Sequence, residues 1–127
     1  MKSDDPAYQG IHHASMLVAD LPRALEFYCT VLGLRVDPNR PEMGYAGAWL
    51  EVGSQQIHLL ELPNPDPVAN RPAHGGRDRH VCLAVANLDV LCDRLDRHGV
   101  SYTRSRSGRK ALFCRDPDAN GLEFAQL

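Results

Sequence analysis

Two stretches of this chain carry the same plan, and that repetition constrains the fold more than any other feature. Residues 10–34 read GIHHASMLVADLPRALEFYCTVLGL. Residues 11–19 are rich in apolar side chains and free of Pro and Gly, which predicts a buried strand. Asp20 follows as a helix cap, with Pro22 in the first turn, where its missing N–H costs nothing. Leu21, Leu25, Tyr28 and Leu32 recur at helical spacing, with Ala24, Phe27 and Val31 beside them, and Gly33 supplies a stop that accepts positive φ. The plan returns at Arg79. Residues 79–86 are the second strand, Asn87 the second cap, 88–98 the second helix and Gly99 the second stop. His13 stands seven residues before Asp20, and His80 seven before Asn87.

The rest of each unit reads as three further strands. In the first they fall at 34–37, 45–52 and 55–62, with a turn at Gly53-Ser54; in the second at 100–103, 109–115 and 122–127. Arg104 to Gly108 form a basic turn, and DPDANG from Asp116 a dense turn signal. Between the units, residues 63–78 carry the run PNPDP and Gly75-Gly76, a linker that is semi-stiff at its start and flexible at its end. Two copies are too few for a solenoid. The expected fold is therefore α+β: one domain over residues 1–127, with βαβββ modules at 10–62 and 79–127 whose mixed sheets form a cup. Whether the modules pair within one chain or swap between chains is left open.

A chain of 127 residues suffices for one domain with a real core. No apolar run approaches a membrane span, and Asp4 and Asp5 interrupt the start, where a signal peptide needs a basic then apolar run. The net charge of −2 gives no argument for nucleic acid. Cys29, Cys82, Cys92 and Cys114 lack any CxxC pairing and read as small buried hydrophobes rather than disulfides or zinc ligands. These features place the protein in the cytoplasm.

Strand parity nominates the chemistry, because side chains alternate faces with period two. In the strand from His80, Val81, Leu83 and Val85 share the face that suits the helices, which puts His80, Cys82 and Ala84 on the open one. In the last strand, Leu122 and Phe124 face the helices and Glu123 the open side. His13 is the repeat equivalent of His80. His58, five residues after Gly53, is the equivalent of Glu123, five after Asp118. If two equivalent sheets make a cup, His13, His58, His80 and Glu123 converge. Three imidazoles and a carboxylate suit Zn, Fe(II), Ni, Co or Mn and do not select among them. His12 has the opposite parity, while His74 and His98 lie in the linker and at a helix end; all three are set aside.

With those residues in place, the chain resembles the vicinal oxygen chelate superfamily, the glyoxalase/bleomycin-resistance/extradiol dioxygenase fold. The resemblance runs from about Gly10 to Leu127. It is carried best by His13-Ala14 through Asp20-Leu21, Phe27-Tyr28 through Val31-Leu32-Gly33-Leu34, and Asp116-Pro117-Asp118 through Gly121-Leu122-Glu123. It implies metal ligands at His13, His80 and Glu123, with His58 where a fourth ligand occurs. It implies a divalent ion acting on two vicinal oxygens of a small substrate, Glu123 as the proton-moving group, and a homodimer. By analogy it implies a cup lined by Tyr45, Trp49, Cys82 and Phe113.

The departures narrow the choice. Leu17 and Leu62 stand where glutathione-dependent glyoxalase I commonly has an Arg and an Asn for glutathione, which argues against glutathione hemithioacetal as substrate. Phe113 lacks the hydroxyl of fosfomycin-resistance transferases. The DPDANG segment also resembles the start of a calcium loop, but its acidic closing position falls at Leu127, so the turn reading stands. Arg104, Arg106, Arg109, Lys110 and Arg115 form a basic cluster. It reads as a solvated face, with Arg109 the candidate to draw an anionic substrate to the cup mouth. The expected function is a divalent-metal-dependent lyase or isomerase of glyoxalase-like type. The alternatives are an Fe(II) extradiol-type dioxygenase and a non-enzymatic drug- or metabolite-binding protein. No nucleic acid or membrane partner is expected.

Overall fold

Residues 4–127 are described in a computed structural model. The chain forms two four-stranded mixed sheets. In the first, β1 (His13–Val18), β2 (Arg35–Val36), β3 (Gly47–Val52) and β4 (Gln55–Glu61) lie in the order β1-β4-β3-β2. In the second, β5 (His80–Val85), β6 (Thr103–Arg104), β7 (Ala111–Arg115) and β8 (Gly121–Gln126) lie in the order β5-β8-β7-β6. β1 runs parallel to β4 and β5 parallel to β8; the other pairings are antiparallel. Each sheet thus has the βαβββ order that the repeat predicts. No described helix is long and apolar enough to cross a membrane.

The caps form where the sequence places them. Asp20 accepts the Arg23 amide at 3.1 Å and Asn87 the Val90 amide at 3.2 Å, each satisfying an orphan donor of its helix. Gly33 and Gly99 end the helices at φ of +84° and +67°, which a side chain would resist. The first helix differs from expectation. α1 (Leu21–Leu25) passes into a π-helical segment, Glu26–Val31, which buries Phe27, Tyr28 and Val31. α2 (Leu88–Arg97) is regular and buries Leu88, Leu91, Cys92 and Leu95. The sixth strand begins at Thr103 rather than at residue 100, and the seventh at Ala111, which leaves Arg109 in the turn.

One apolar core runs through both units. Leu50, Ile57 and Leu59 of the first sheet, Leu83, Leu112 and Leu122 of the second, and Tyr28, Leu88 and Leu95 from the helices belong to it. Polar ties cross between the units. The Tyr28 hydroxyl donates to Asp116 Oδ2 at 2.7 Å, Asp118 Oδ1 accepts the Ala19 amide at 3.0 Å, and Arg94 Nε donates to the Val31 carbonyl at 2.7 Å. Burial first, and then the Asp116 carboxylate, push the Tyr28 phenol well above its usual range. Burial also raises Asp116 above an ordinary carboxylate, against the hydrogen bonds from Asn120, Tyr28 and Asp118 that favour its charge. Asp116 and Asp118 are therefore buried turn and tie residues.

The linker is less free than its Gly-Gly suggests. Gly75–Arg77 form a short 3-10 turn. Arg115 pins both sides of it, donating to the Pro72 carbonyl at 2.8 Å and to Asp78 Oδ2 at 2.9 Å. Gly75 packs so closely on Phe113 that a Cβ there would sit 3.3 Å from the Phe113 Cβ.

Candidate functional site

The faces turned away from the core carry the polar residues. In β1, β3 and β4, Val18, Ala48, Leu50, Ile57 and Leu59 go inward, leaving His13, Trp49 and His58 on the open face. Trp49 lies directly across the ladder from His58. The His58 ring is sandwiched: it stacks 4.0 Å from His13 on one side and 4.7 Å from Trp49 on the other, each at 12°.

An outer layer orients these imidazoles. Gln56 Nε2 donates to Asp37 Oδ2 at 2.8 Å, and Gln56 Oε1 lies 2.8 Å from His58 Nε2. A carboxylate only accepts, so the Gln56 amide must turn its NH₂ to Asp37 and its oxygen to His58. That oxygen in turn requires a proton on His58 Nε2, which leaves the Nδ1 lone pair free. Burial lowers the His58 pKa, reinforced by the charges of His13, His12 and Arg40 and opposed by Asp37. Asp37 itself is held below the usual carboxylate range by the Asn39 amide and Gln56. His13 Nδ1 lies 2.8 Å from His12 Nδ1, so one of these rings donates and the other accepts. When His13 donates, its Nε2 keeps a lone pair. Parity set His12 aside, but it lies just before β1, where the ring is free to reach its neighbour.

The second open face is built the same way. Glu123 stands beside Cys82 in the parallel ladder and opposite Phe113 in the antiparallel one. It is buried to 4 % exposure, and its Oε1 lies 3.0 Å from His80 Nε2. His80 Nδ1 lies 2.8 Å from the Asp78 carbonyl, which only accepts, so Nδ1 carries a proton; Nε2 and Glu123 Oε1 share a second one, which an incoming metal ion would displace. Two ligands of one ion, each about 2.1 Å from it, lie about 3.0–3.4 Å apart; this pair is held 3.0 Å apart by its hydrogen bond. Arg109 Nη2 donates to Glu123 Oε2 at 2.8 Å. Phe113 packs edge-on against His80 and His74 at 5.2 and 4.9 Å, and His74 is held by Thr103 at 2.7 Å. Cys82 is exposed on this face, its thiol pushed up by partial burial and then by Glu123.

The structure brings the four nominated residues together two by two: His13 with His58, and His80 with Glu123. Among the described residues, no three His, Cys, Asp or Glu side chains gather as a metal-holding group. Within one chain the four therefore stand as two pairs, which leaves the open question of pairing within or between chains to the assembly. Of the expected lining residues, Tyr45 and Trp49 border a hollow of about 300 Å³ with His13 and His58, while Cys82 and Phe113 adjoin Glu123. Arg109, expected at the cup mouth, is committed to Glu123. The outer partners Asp37, Gln56 and His12, and His74 on Phe113, were not nominated. Only Gln56, two residues before His58 on the same strand face, left a legible signal.

Comparison with known proteins agrees with this architecture. The model of the Glyoxalase/Bleomycin resistance protein/Dioxygenase superfamily matches residues 10–124. "Glyoxylase I 4" of Arabidopsis thaliana is 30% identical over 120 residues, covering 90% of this chain and 68% of the relative. "Lactoylglutathione lyase" of Salmonella typhimurium is 28% identical over 122 residues, covering 90% of each chain. Enzymes named methylmalonyl-CoA epimerase and catechol-2,3-dioxygenase are also similar to it. Among solved structures, a putative glyoxalase family protein from Bacillus anthracis shares the fold at a TM-score of 0.79, with 24% identity, covering 96% of this chain and 98% of the other.

Proposed function

This chain belongs to the Glyoxalase/Bleomycin resistance protein/Dioxygenase superfamily, and we propose that it is a divalent-metal-dependent enzyme of the lyase or isomerase type whose site forms between two copies of the chain. His13 and His58 of one copy and His80 and Glu123 of the other would hold the ion. The observation that carries this reading is the outer layer. Each candidate has a partner that fixes its orientation: His12 at His13, Gln56 at His58, the Asp78 carbonyl at His80 and Arg109 at Glu123. Metal-binding imidazoles characteristically have one nitrogen tied down so that the other is presented. Two separate half-sets, each oriented in this way and each too small for an ion alone, fit a homodimer that completes both. Zn, Ni, Co, Mn and Fe(II) all suit three imidazoles and one carboxylate.

When bound, the metal would supply Lewis-acid polarisation of two vicinal substrate oxygens. The chain's own residues do the rest. Glu123 is the buried carboxylate of its face and takes the substrate proton. Arg109 compensates its charge from the far oxygen. Trp49 and Phe113 wall the two faces with apolar rings, limiting water. Leu17 and Leu62 offer no polar grip where a glutathione moiety would need one, so the substrate is a small oxygenated compound other than glutathione hemithioacetal. The four free cysteines fit a reducing compartment such as the cytoplasm.

The test is to load purified protein separately with each of these ions and screen small α-oxygenated substrates, with His80→Ala and Glu123→Gln as controls. The expected result is about one ion per chain in the wild type, turnover with at least one ion, and loss of both in the variants. Wild-type protein that takes up no ion and turns over no substrate would contradict the reading. It would favour a metal-free binding protein, for which the ring stack of His13, His58 and Trp49 would be the platform.

A further inference from the structure

We infer that Arg40 is an anion anchor, and that the ligand of this site carries an oxyanion group, carboxylate or phosphate, on a small apolar body. The assignment rests on the reading of the first open face as one wall of the active site.

Arg40 is half-buried and borders the same hollow of about 300 Å³ as His13, Trp49 and His58. Its guanidinium has five N–H donors. Among the described residues it makes one hydrogen bond, from Nη2 to the Tyr45 carbonyl at 2.9 Å, and the group stands 5.3 Å from the centre of the Tyr45 ring. Among the described residues no acidic side chain forms an ion pair with it. Gly47 lies against it: a Cβ there would meet the Leu59 carbonyl oxygen first and then Arg40 Nη2 at 2.9 Å.

A half-buried guanidinium with one protein acceptor leaves donors for water or an anion, and its fork matches the two oxygens of a carboxylate or phosphate. Met43 and Trp49 on the same hollow supply an apolar surface for the body behind that anion. Arg109 contrasts with this. It is 59% exposed and already neutralised by Glu123, so it offers little net charge to an incoming anion. The role that the basic cluster suggested for Arg109 therefore passes to a residue in the proline-bounded loop of the other module.

Trp49 is the only tryptophan of the chain, so its fluorescence reports on this hollow. The experiment titrates metal-free full-length protein with benzoate, phenyl phosphate and neutral benzamide, in wild type, Arg40→Gln and Arg40→Lys. Wild type should prefer at least one anion over benzamide by about tenfold, the scale of one charge-assisted bond; whichever anion leads identifies the group. Arg40→Gln should abolish the preference and Arg40→Lys recover part of it. Equal binding of benzamide, no saturable binding of either anion, or an unchanged preference in Arg40→Gln would overturn the assignment. Because no metal is present, these outcomes are independent of metal uptake, where a failure of the metalloenzyme reading would show.

Discussion

Subunit mixing separates a site shared between chains from a site inside one chain. Let one population carry His13→Ala and another His80→Ala. Each alone lacks one imidazole of every site, whichever way the sites are built, so each alone should be nearly inactive. The structure places His13 with His58 and His80 with Glu123, in two pairs that do not meet within the chain. In a mixed dimer, one site then combines both lesions and the other combines the intact His13 half of one chain with the intact His80 half of its partner. Random mixing in equal amounts yields mixed dimers for about half of the population, and so about one quarter of all sites intact, as two-fold symmetry requires. The assay is co-refolding of the two variants at equal concentration, followed by metal uptake and turnover against the wild type. Recovery to about one quarter supports the shared site. Activity no higher than that of the separate variants would refute it, since sites internal to a chain keep one lesion each in every mixture.

Three further outcomes follow. Gln56→Leu removes the acceptor that orients His58 without touching an inward-facing residue, so metal affinity measured by competitive chelation should fall about 10–100-fold while the fold survives. Tyr28→Phe deletes the 2.7 Å bond to buried Asp116 and should cost about 1.5–3 kcal/mol in urea unfolding at neutral pH. The Asp116 pKa is raised in the folded state, so the stability linked to its proton is fully present below the ordinary Asp range and is lost as pH rises through the raised value. The Tyr28→Phe penalty should therefore shrink as pH falls through that window, and a penalty constant with pH would count against the account. In native protein, burial pushes the Cys114 thiol up to about 12, and Cys92 is enclosed, so alkylation near pH 8 should be confined to Cys29 and Cys82, as peptide mass mapping would show.

The parts of this molecule that were legible in its sequence obey local periodic rules. Asp20 and Asn87 cap because side-chain oxygens at those positions meet orphan amides one turn on. Gly33 and Gly99 stop helices because they tolerate positive φ. Period-two alternation put His80 and Glu123 on one face and Leu83 and Phe124 on the other, and the ladder places them so. What escaped has no period. Arg40 and His74 sit in Pro- and Gly-punctuated loops, where the reach of a side chain depends on a path the sequence does not state. His12 was set aside by a parity rule that ceases to apply one residue before the strand begins. The relation between the modules depends on ties such as Tyr28 to Asp116, across 88 positions. For that reason repeat symmetry alone left open whether the modules pair within one chain or between two.

The most direct test of the central claim locates the ion. Crystals of the metal-loaded protein, measured at the absorption edge of the bound metal, should give one anomalous peak per chain. The account predicts that each peak lies within ligand distance of His80 Nε2 and a Glu123 oxygen of one copy and of His13 and His58 of the other. A peak ligated elsewhere, or no peak from protein shown to be folded and dimeric, would contradict it.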